Sequence, residues 1–153
     1  MEFWLERDER NTISSRRRNR ESSMAGEEDL DKLLALLQPS LLPGDFVFCT
    51  SANLKYGDFA EWKPIASYQE EEGLTLVLDR KAADDAGLAY GSVFNCITLM
   101  VHSSLDSVGL TAAVSGRLAA KDISANVIAA YHHDHVFVPK NKAQLALKLL
   151  TEF

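Results

Sequence analysis

Apolar and polar residues alternate along several short stretches of this chain, and the alternation predicts strands. Turn-forming residues or charged runs separate the stretches, so neighbouring strands are expected to pair as hairpins or to connect through helices. The predicted strands are Phe46–Thr50, Pro64–Tyr68, Leu74–Leu78, Ile97–Val101, Val127–Tyr131 and Val136–Val138. A turn is expected at His132–His135, and Pro139 ends the last strand because proline cannot donate to a ladder.

A spacing of three to four residues between apolar positions predicts four helices. They are Leu30–Leu37, Arg80–Leu88, a helix that closes at Lys121-Asp122, and Lys142–Leu150. Asp106 or Ser107 is the expected cap of the third helix. Its expected buried positions are Val108, Leu110, Ala112, Val114, Ser115, Leu118 and Ala119. Those of the last helix are Leu145, Leu147, Leu149 and Leu150.

The two hairpin patterns resemble each other and suggest an internal repeat. Ile65–Leu78 matches Ile128–Val138, with Tyr68 and Tyr131 in equivalent places, and chance similarity is the alternative. The second half has the order βαββα, which lacks one strand of a complete βαββαβ unit. We therefore predict an α+β protein of two ferredoxin-like halves with adjoining antiparallel sheets and helices on one face. The predicted divisions are a charged tail at 1–26 and halves at 27–90 and 91–153.

Composition narrows the possible functions. A net charge of −6 argues against a general nucleic-acid surface. The two cysteines lie in apolar strand patterns, which favours buried thiols in a reducing, cytoplasmic compartment over a disulfide. Apolar runs stay shorter than the roughly 18 residues that a membrane helix requires. The tail is dense in charge and expected to be disordered; Arg16–Arg20 there is a solvated run or a localisation or RNA-contacting patch. Met24 is a second candidate start.

The loop that joins the Ile97–Val101 strand to the third helix is the candidate binding site. Free N–H groups at the start of a helix suit a small anionic group. No catalytic triad, carboxylate pair or phosphate loop accompanies the loop, so a binding module is favoured over an enzyme. Three histidines and Asp134 in the following turn suggest a metal site, but neighbours in an extended turn point to different sides, so no metal or other cofactor is expected.

These segments together resemble tandem ACT-domain proteins over Leu30 to Leu150. The pieces that carry the resemblance are LLPGDFVFCT, PIASYQEEEGLTLVL, ITLMVHSSLDSVGLTAAVSGRLAAKDIS and VIAAYHHDHVFVP. The second half is also similar to the ligand-binding half of arginine sensors built from tandem ACT units. The resemblance implies a non-catalytic regulatory module that binds an amino acid and associates as a homodimer. The alternative is a ligand-free adaptor with the same fold that dimerises or docks on a partner.

The resemblance also implies where a ligand is held. The strand-to-helix loop would contact its amino and carboxylate groups, and the turn after the next strand would supply a lid and a charged contact. Asp134 matches an acidic position of the sensors, whereas Ser107 stands where they carry a glutamate, which weakens an assignment to arginine. The candidate ligand-binding residues are Ser104, Asp106, Ser107, Val108, Gly109, Ala130, Tyr131, His132 and Asp134.

Overall fold

The described part of the chain forms seven strands and four short helices. The computed structural model describes Glu27 and residues 29–153, so the charged tail predicted at 1–26 lies outside the described residues. The helices are α1 (Leu30–Ala35), α2 (Arg80–Asp85), α3 (Leu110–Ala119) and α4 (Ala143–Thr151). The strands are β1 (Pro39–Leu41), β2 (Phe46–Ser51), β3 (Ala66–Gln69), β4 (Leu74–Asp79), β5 (Phe94–Leu99), β6 (Asn126–Ala129) and β7 (Asp134–Pro139). Short 3-10 turns occur at Ala60–Trp62 and Lys140–Lys142.

The strands form a sheet in the order β3-β4-β2-β5-β7-β6, and β1 pairs with β5 beside β2. Every strand pairing is antiparallel. β2 and β5 meet through one residue pair, Phe46 with Phe94, because the turn that contains Gly44 carries the chain from β1 to β2 at that point. The predicted class, helices on an antiparallel sheet, is therefore confirmed.

The hairpin β3–β4 and the hairpin β6–β7 close at equivalent positions. Gln69 pairs with Leu74 in the first, and Ala129 pairs with Asp134 in the second. Counted from these pairs, Tyr68 corresponds to Ile128. The predicted match of Tyr68 to Tyr131 is wrong, because Tyr131 lies in the turn beyond the last paired residues of β6.

The first helix and strand of the chain pack with the second half. Leu33 and Leu37 share a core with Ile97 and Leu99 of β5, and β1 lies along the free edge of β5. The second half, with the order βαββα, lacks one strand of a complete βαββαβ unit, and β1 occupies the place of that strand in the sheet. The sequence boundary at 90/91 stays a prediction, but α1 and β1 contribute across it.

Alternation along the strands separates two faces of the sheet. In β5, Ile97 and Leu99 face the helices, whereas Cys96 faces the other side. On the helix side, α1, α3 and α4 cover one cluster, and α2 covers a second around Val47 and Leu76. The opposite side holds an aromatic cluster in which Phe137 contacts the edges of two other phenylalanine rings. The described helices thus lie on one face, as period-two patterning requires.

The residues that α4 buries differ in part from those predicted. α4 buries Ala143, Ala146 and Leu150, while Leu145 is 47% exposed, so its predicted place on the apolar side is wrong. The small side chains of Ala143 and Ala146 let the helix lie close to its neighbours.

Cys49 and Cys96 are buried free thiols, as predicted. Among the described helices, none is both long and apolar enough to span a bilayer.

Candidate functional site

The loop between β5 and α3 is held in place by the segment that precedes α1. The N–H of Glu27 donates to the carbonyl of His102 at 2.9 Å, and the N–H of Ser104 donates to the carbonyl of Glu27 at 3.0 Å. Within the loop, the Ser104 hydroxyl accepts the N–H of Asp106 at 3.1 Å, and the Ser104 carbonyl accepts the N–H of Ser107. Local serine chemistry therefore shapes the loop into a compact turn.

Gly109, and neither Asp106 nor Ser107, caps α3. Its φ of 103° lies in the left-handed region, and among the described residues no side chain caps the helix. The expected cap at Asp106 or Ser107 is wrong, because the chain enters the helix at Gly109 in a left-handed conformation that favours glycine. A Cβ at position 109 would also lie 2.9 Å from Leu30 Cδ2. Within the part of the chain that the structure describes, the first N–H groups of α3 therefore have neither a partner inside the helix nor a side-chain cap.

The later start of α3 also changes which residues it buries. Leu110, Val114 and Leu118 face the core, four residues apart on one side of the helix. Val108 precedes the helix and is 82% exposed, and Ala112 and Ala119 are also exposed, so these three do not belong to the buried stripe that the sequence predicted. Ala112 and Ser115 instead face a cavity beside the loop.

This cavity, of about 540 Å³, lies between the loop, the first turns of α3 and the hairpin β6–β7. Five of the predicted site residues line it: Ser104, Ser107, Val108, Gly109 and Asp134. The remaining four, Asp106, Ala130, Tyr131 and His132, are not part of its wall. Wall residues that the prediction missed are Ser103, Leu105, Leu110, Thr111, Ala112, Ser115 and Ala129. Recognising Gly109 as the cap would have placed Thr111, Ala112 and Ser115 on the exposed first turns of the helix.

Among the described residues that line the cavity, Asp134 is the charged one. It is the first residue of β7, pairs with Leu99 and Ala129 in the neighbouring strands, and is only 6% exposed. Burial raises the pKa of its carboxyl, and the nearby His135 and His133 oppose that effect. The cavity therefore has a buried carboxylate on the strand side and helix N–H groups on the other, which are partners for a cation and an anion respectively.

The four histidines of the sequence gather at the same corner of the fold. The ring centroids of His102 and His132 are 5.5 Å apart, and those of His132 and His133 are 6.5 Å apart. His135 lies in β7 rather than in the predicted turn, and its Nδ1 is 3.0 Å from the Thr98 hydroxyl. Burial lowers the pKa of His135. Within residues 27 and 29–153, no three His, Cys, Asp or Glu side chains are placed to share a metal ion.

Models of the ACT domain match two successive parts of the chain, residues 25–95 and residues 92–152. No functionally curated protein matches the sequence significantly.

Several solved structures share the fold. One is a crystal structure of a Vibrio cholerae protein of unknown function, VC0802, described as a possible transport protein. It is 52% identical, with 78% of this chain and 91% of that one covered and a TM-score of 0.72. Atu0741 from Agrobacterium tumefaciens is 18% identical, with 76% and 87% covered and a TM-score of 0.62. E. coli aspartokinase III in complex with aspartate and ADP is 14% identical, with 74% and 32% covered and a TM-score of 0.54.

Proposed function

The chain belongs to the ACT-domain family of regulatory modules, and from this premise we propose that it is a non-catalytic module that binds a free amino acid. The observation that carries the proposal is the opposition of two partners across one cavity. The buried carboxylate of Asp134 lies on one wall, and the start of α3 lies on another. An α-amino acid presents an ammonium and a carboxylate, the two groups that these partners bind.

The binding mode follows from the wall residues. The ligand carboxylate accepts hydrogen bonds from the first N–H groups of α3, next to Gly109, where the helix dipole also favours negative charge. The ligand ammonium meets Asp134, and Ser104 and Ser107 supply further polar contacts. The cavity volume of about 540 Å³ is within the roughly 300–1,000 Å³ of ligand pockets. Tyr131 and His132 lie outside the wall, in the hairpin turn beside it, so a lid role for them requires that turn to move.

A thermal-shift screen of the twenty amino acids, followed by calorimetry, tests the proposal. An amino acid present at about 100 times its dissociation constant stabilises the protein by about 2.7 kcal/mol. Asp134→Asn is expected to remove the stabilisation by the amino acid that binds, whereas Asp122→Asn, an exposed acid in the turn after α3, is the matched control. If no amino acid gives heat or stabilisation, the ligand-free adaptor takes the place of the sensor.

Association is the second part of the proposal. β3 and β6 are the outer strands of the described sheet, so each leaves one edge without a partner strand. We propose a homodimer, in the cytoplasm, where the two buried thiols stay reduced. Sedimentation of the full chain over the micromolar range is expected to give a mass that rises from monomer to dimer. A mass that remains that of the monomer over this range contradicts the proposed homodimer but does not bear on amino-acid binding.

A further inference from the structure

A second cavity, also of about 540 Å³, lies in the first half of the chain. It is bounded by the irregular segment after β2 and by β3 and β4, as the cavity described above is bounded by the segment after β5 and by β6 and β7. Leu74 occupies the floor of this cavity at the register position that Asp134 occupies in the other half. The two cavities thus correspond in place but differ in chemistry, because an apolar side chain replaces the carboxylate.

The lining of the second cavity is mostly apolar and partly exposed. Leu74 and Leu76 are 1% and 2% exposed and form its base. Ile65 and Tyr56 stand at its sides with 48% and 83% of their surface exposed. Large exposed apolar side chains around a concave base lose unfavourable contact with water when an apolar group fills the space.

The wall of this cavity is held in an uncommon backbone conformation. Phe59 and Lys63, on either side of the 3-10 turn at Ala60–Trp62, have φ angles of 61° and 49°. Both are non-glycine residues in the left-handed region, which L side chains rarely adopt. The rings of Phe59 and Trp62 stack with centroids 3.8 Å apart and hold the turn in this shape. Strain of this kind concentrates at ligand clamps and switch regions.

The charged residues in the described wall are Lys63 and Asp58, and they differ in whether their side chains have partners. The Asp58 carboxylate accepts the N–H of Lys55 at 2.8 Å and so holds its own loop. The Lys63 ammonium has no ion pair or hydrogen bond with any residue from 29 to 153 or with Glu27. The strained backbone therefore presents, at the edge of a mostly apolar cavity, a cation that has no partner among the described residues.

We propose that this cavity binds a small monocarboxylate with a branched or aromatic apolar body and no ammonium group. The apolar body rests on Leu74 and Leu76, and the carboxylate pairs with Lys63. An ammonium group finds no acid at the base of this cavity, since Leu74 stands where the other half has Asp134, and the acid of the wall, Asp58, already accepts the N–H of Lys55. This ligand class and this half of the chain are separate from the amino-acid site proposed above.

Calorimetry of the full chain with 4-methylpentanoate tests the proposal, with 4-methylpentanamide as the uncharged match. Saturable binding of the acid is expected with a dissociation constant near or below about 1 mM, and the amide is expected to bind at least about tenfold more weakly. Equal affinity for the two probes, or no saturation by the acid at several millimolar, overturns the proposal.

Variants locate the binding and separate it from the amino-acid site. Lys63→Met is expected to weaken binding of the acid by about tenfold or more, with Lys121→Met as an exposed control. Lys63→Gly removes the cation and relieves the left-handed strain, so it is expected to raise the thermal midpoint while binding is lost. Asp134→Asn is expected to leave binding of 4-methylpentanoate unchanged. If Asp134→Asn abolishes that binding, or Lys63→Met does not affect it, the acid binds elsewhere and the proposal is wrong.

Discussion

Phe46 of β2 and Phe94 of β5 pair with each other at the point where the two halves of the sheet meet. Phe46 also lies opposite Asp79 of β4, as Phe94 lies opposite Pro139 of β7, so the two residues hold the same place in their halves. The residues that follow Asp79 and Pro139 in the chain also make corresponding hydrogen bonds. Arg80 N–H donates to the Asp45 carbonyl at 2.8 Å, and Lys140 N–H donates to the Val93 carbonyl at 3.2 Å. The strand pairs β2–β4 and β5–β7 therefore have corresponding positions around the phenylalanine pair.

The aromatic cluster around this pair is expected to contribute strongly to stability. Phe137 is 1% exposed, and its ring meets the edges of Phe46 and Phe48 at centroid distances of 6.2 and 5.3 Å. Phe137→Ala is expected to lower the free energy of unfolding by about 3–5 kcal/mol in urea titrations. Tyr68→Ala, on the same face but 72% exposed, is the control, with an expected change within about 0.5 kcal/mol. Similar losses for both variants would contradict the assigned packing.

Substitution of Gly109 tests the start of α3. Gly109→Ala is expected to destabilise the protein by more than about 1 kcal/mol, because it combines a φ of 103° with a Cβ 2.9 Å from Leu30 Cδ2. Gly57→Ala has a similar φ of 95° but open space around the Cβ, so it measures the backbone effect alone. Urea titration of both variants gives the difference due to the clash. Adding Leu30→Ala to Gly109→Ala is expected to leave less than the sum of the two losses.

Asp134 is expected to destabilise the free protein when it is ionised. Burial raises its pKa in the folded state, so the folded protein binds more protons than the unfolded chain at mildly acidic pH. The stability associated with this group therefore falls as the pH rises from the unfolded pKa through the raised folded one. Asp134→Asn is expected to raise the thermal midpoint at neutral pH, and the gain should shrink below about pH 4. A lower midpoint for Asp134→Asn at neutral pH would show that the carboxylate is held by contacts within the folded chain.

The same variant separates stability from binding. Asp134→Asn or Asp134→Ala is expected to weaken amino-acid binding by roughly 1.5–3 kcal/mol, measured by calorimetry, because a charged hydrogen bond is lost. A residue that reduces stability in the free protein and strengthens ligand binding is typical of a binding site. Circular dichroism is expected to show the same fold for wild type and both variants.

Asp45 connects the halves through its side chain and should have the opposite pH dependence. Its carboxylate accepts the Lys140 ammonium at 2.7 Å, lies 3.9 Å from the Arg80 guanidinium and receives the Asn95 amide at 3.2 Å. The hydrogen bond from Lys140 is the main cause that lowers the pKa of Asp45, against an opposing desolvation. Stability from this group is therefore present above the unfolded pKa, about 3.9, and lost as the pH falls through the lower folded value.

Urea titrations at stepped pH test this pairing. Wild type is expected to lose more stability than Asp45→Asn between about pH 4 and pH 2. Lys140→Met should reduce the difference, because the main partner of the carboxylate is gone. Asp122→Asn serves as a control, since Asp122 is an exposed turn residue whose neutralisation leaves the contact between the halves intact. Parallel pH curves for wild type and Asp45→Asn would show that the ion pair contributes nothing to stability.

The sequence by itself determined the local elements of this protein. Alternation of apolar residues and the intervening turn residues predicted both hairpins, since each hairpin depends on neighbours in the chain. Asp122 lies at the predicted end of α3, and Gly87 lies one residue before the end of the predicted helix Arg80–Leu88; both have the left-handed backbone that closes a helix. The loop after β5 and Asp134 were also identified from the sequence as candidate site residues, with the help of the ACT resemblance.

Only the tertiary structure decided how distant segments share space. The packing around Gly109, the cap of α3, involves Leu30, which is far away in the sequence, because a Cβ at position 109 would lie 2.9 Å from Leu30 Cδ2. β1 joined the second half because β5 had an unpaired edge that its own half does not fill. The hairpins match with Tyr68 at Ile128 because their turns, from Gln69 to Leu74 and from Ala129 to Asp134, have the same length, and turn geometry rather than similarity of side chains sets this register. Contacts between residues far apart in the chain decided the first two, and local sequence patterns carry no record of such contacts.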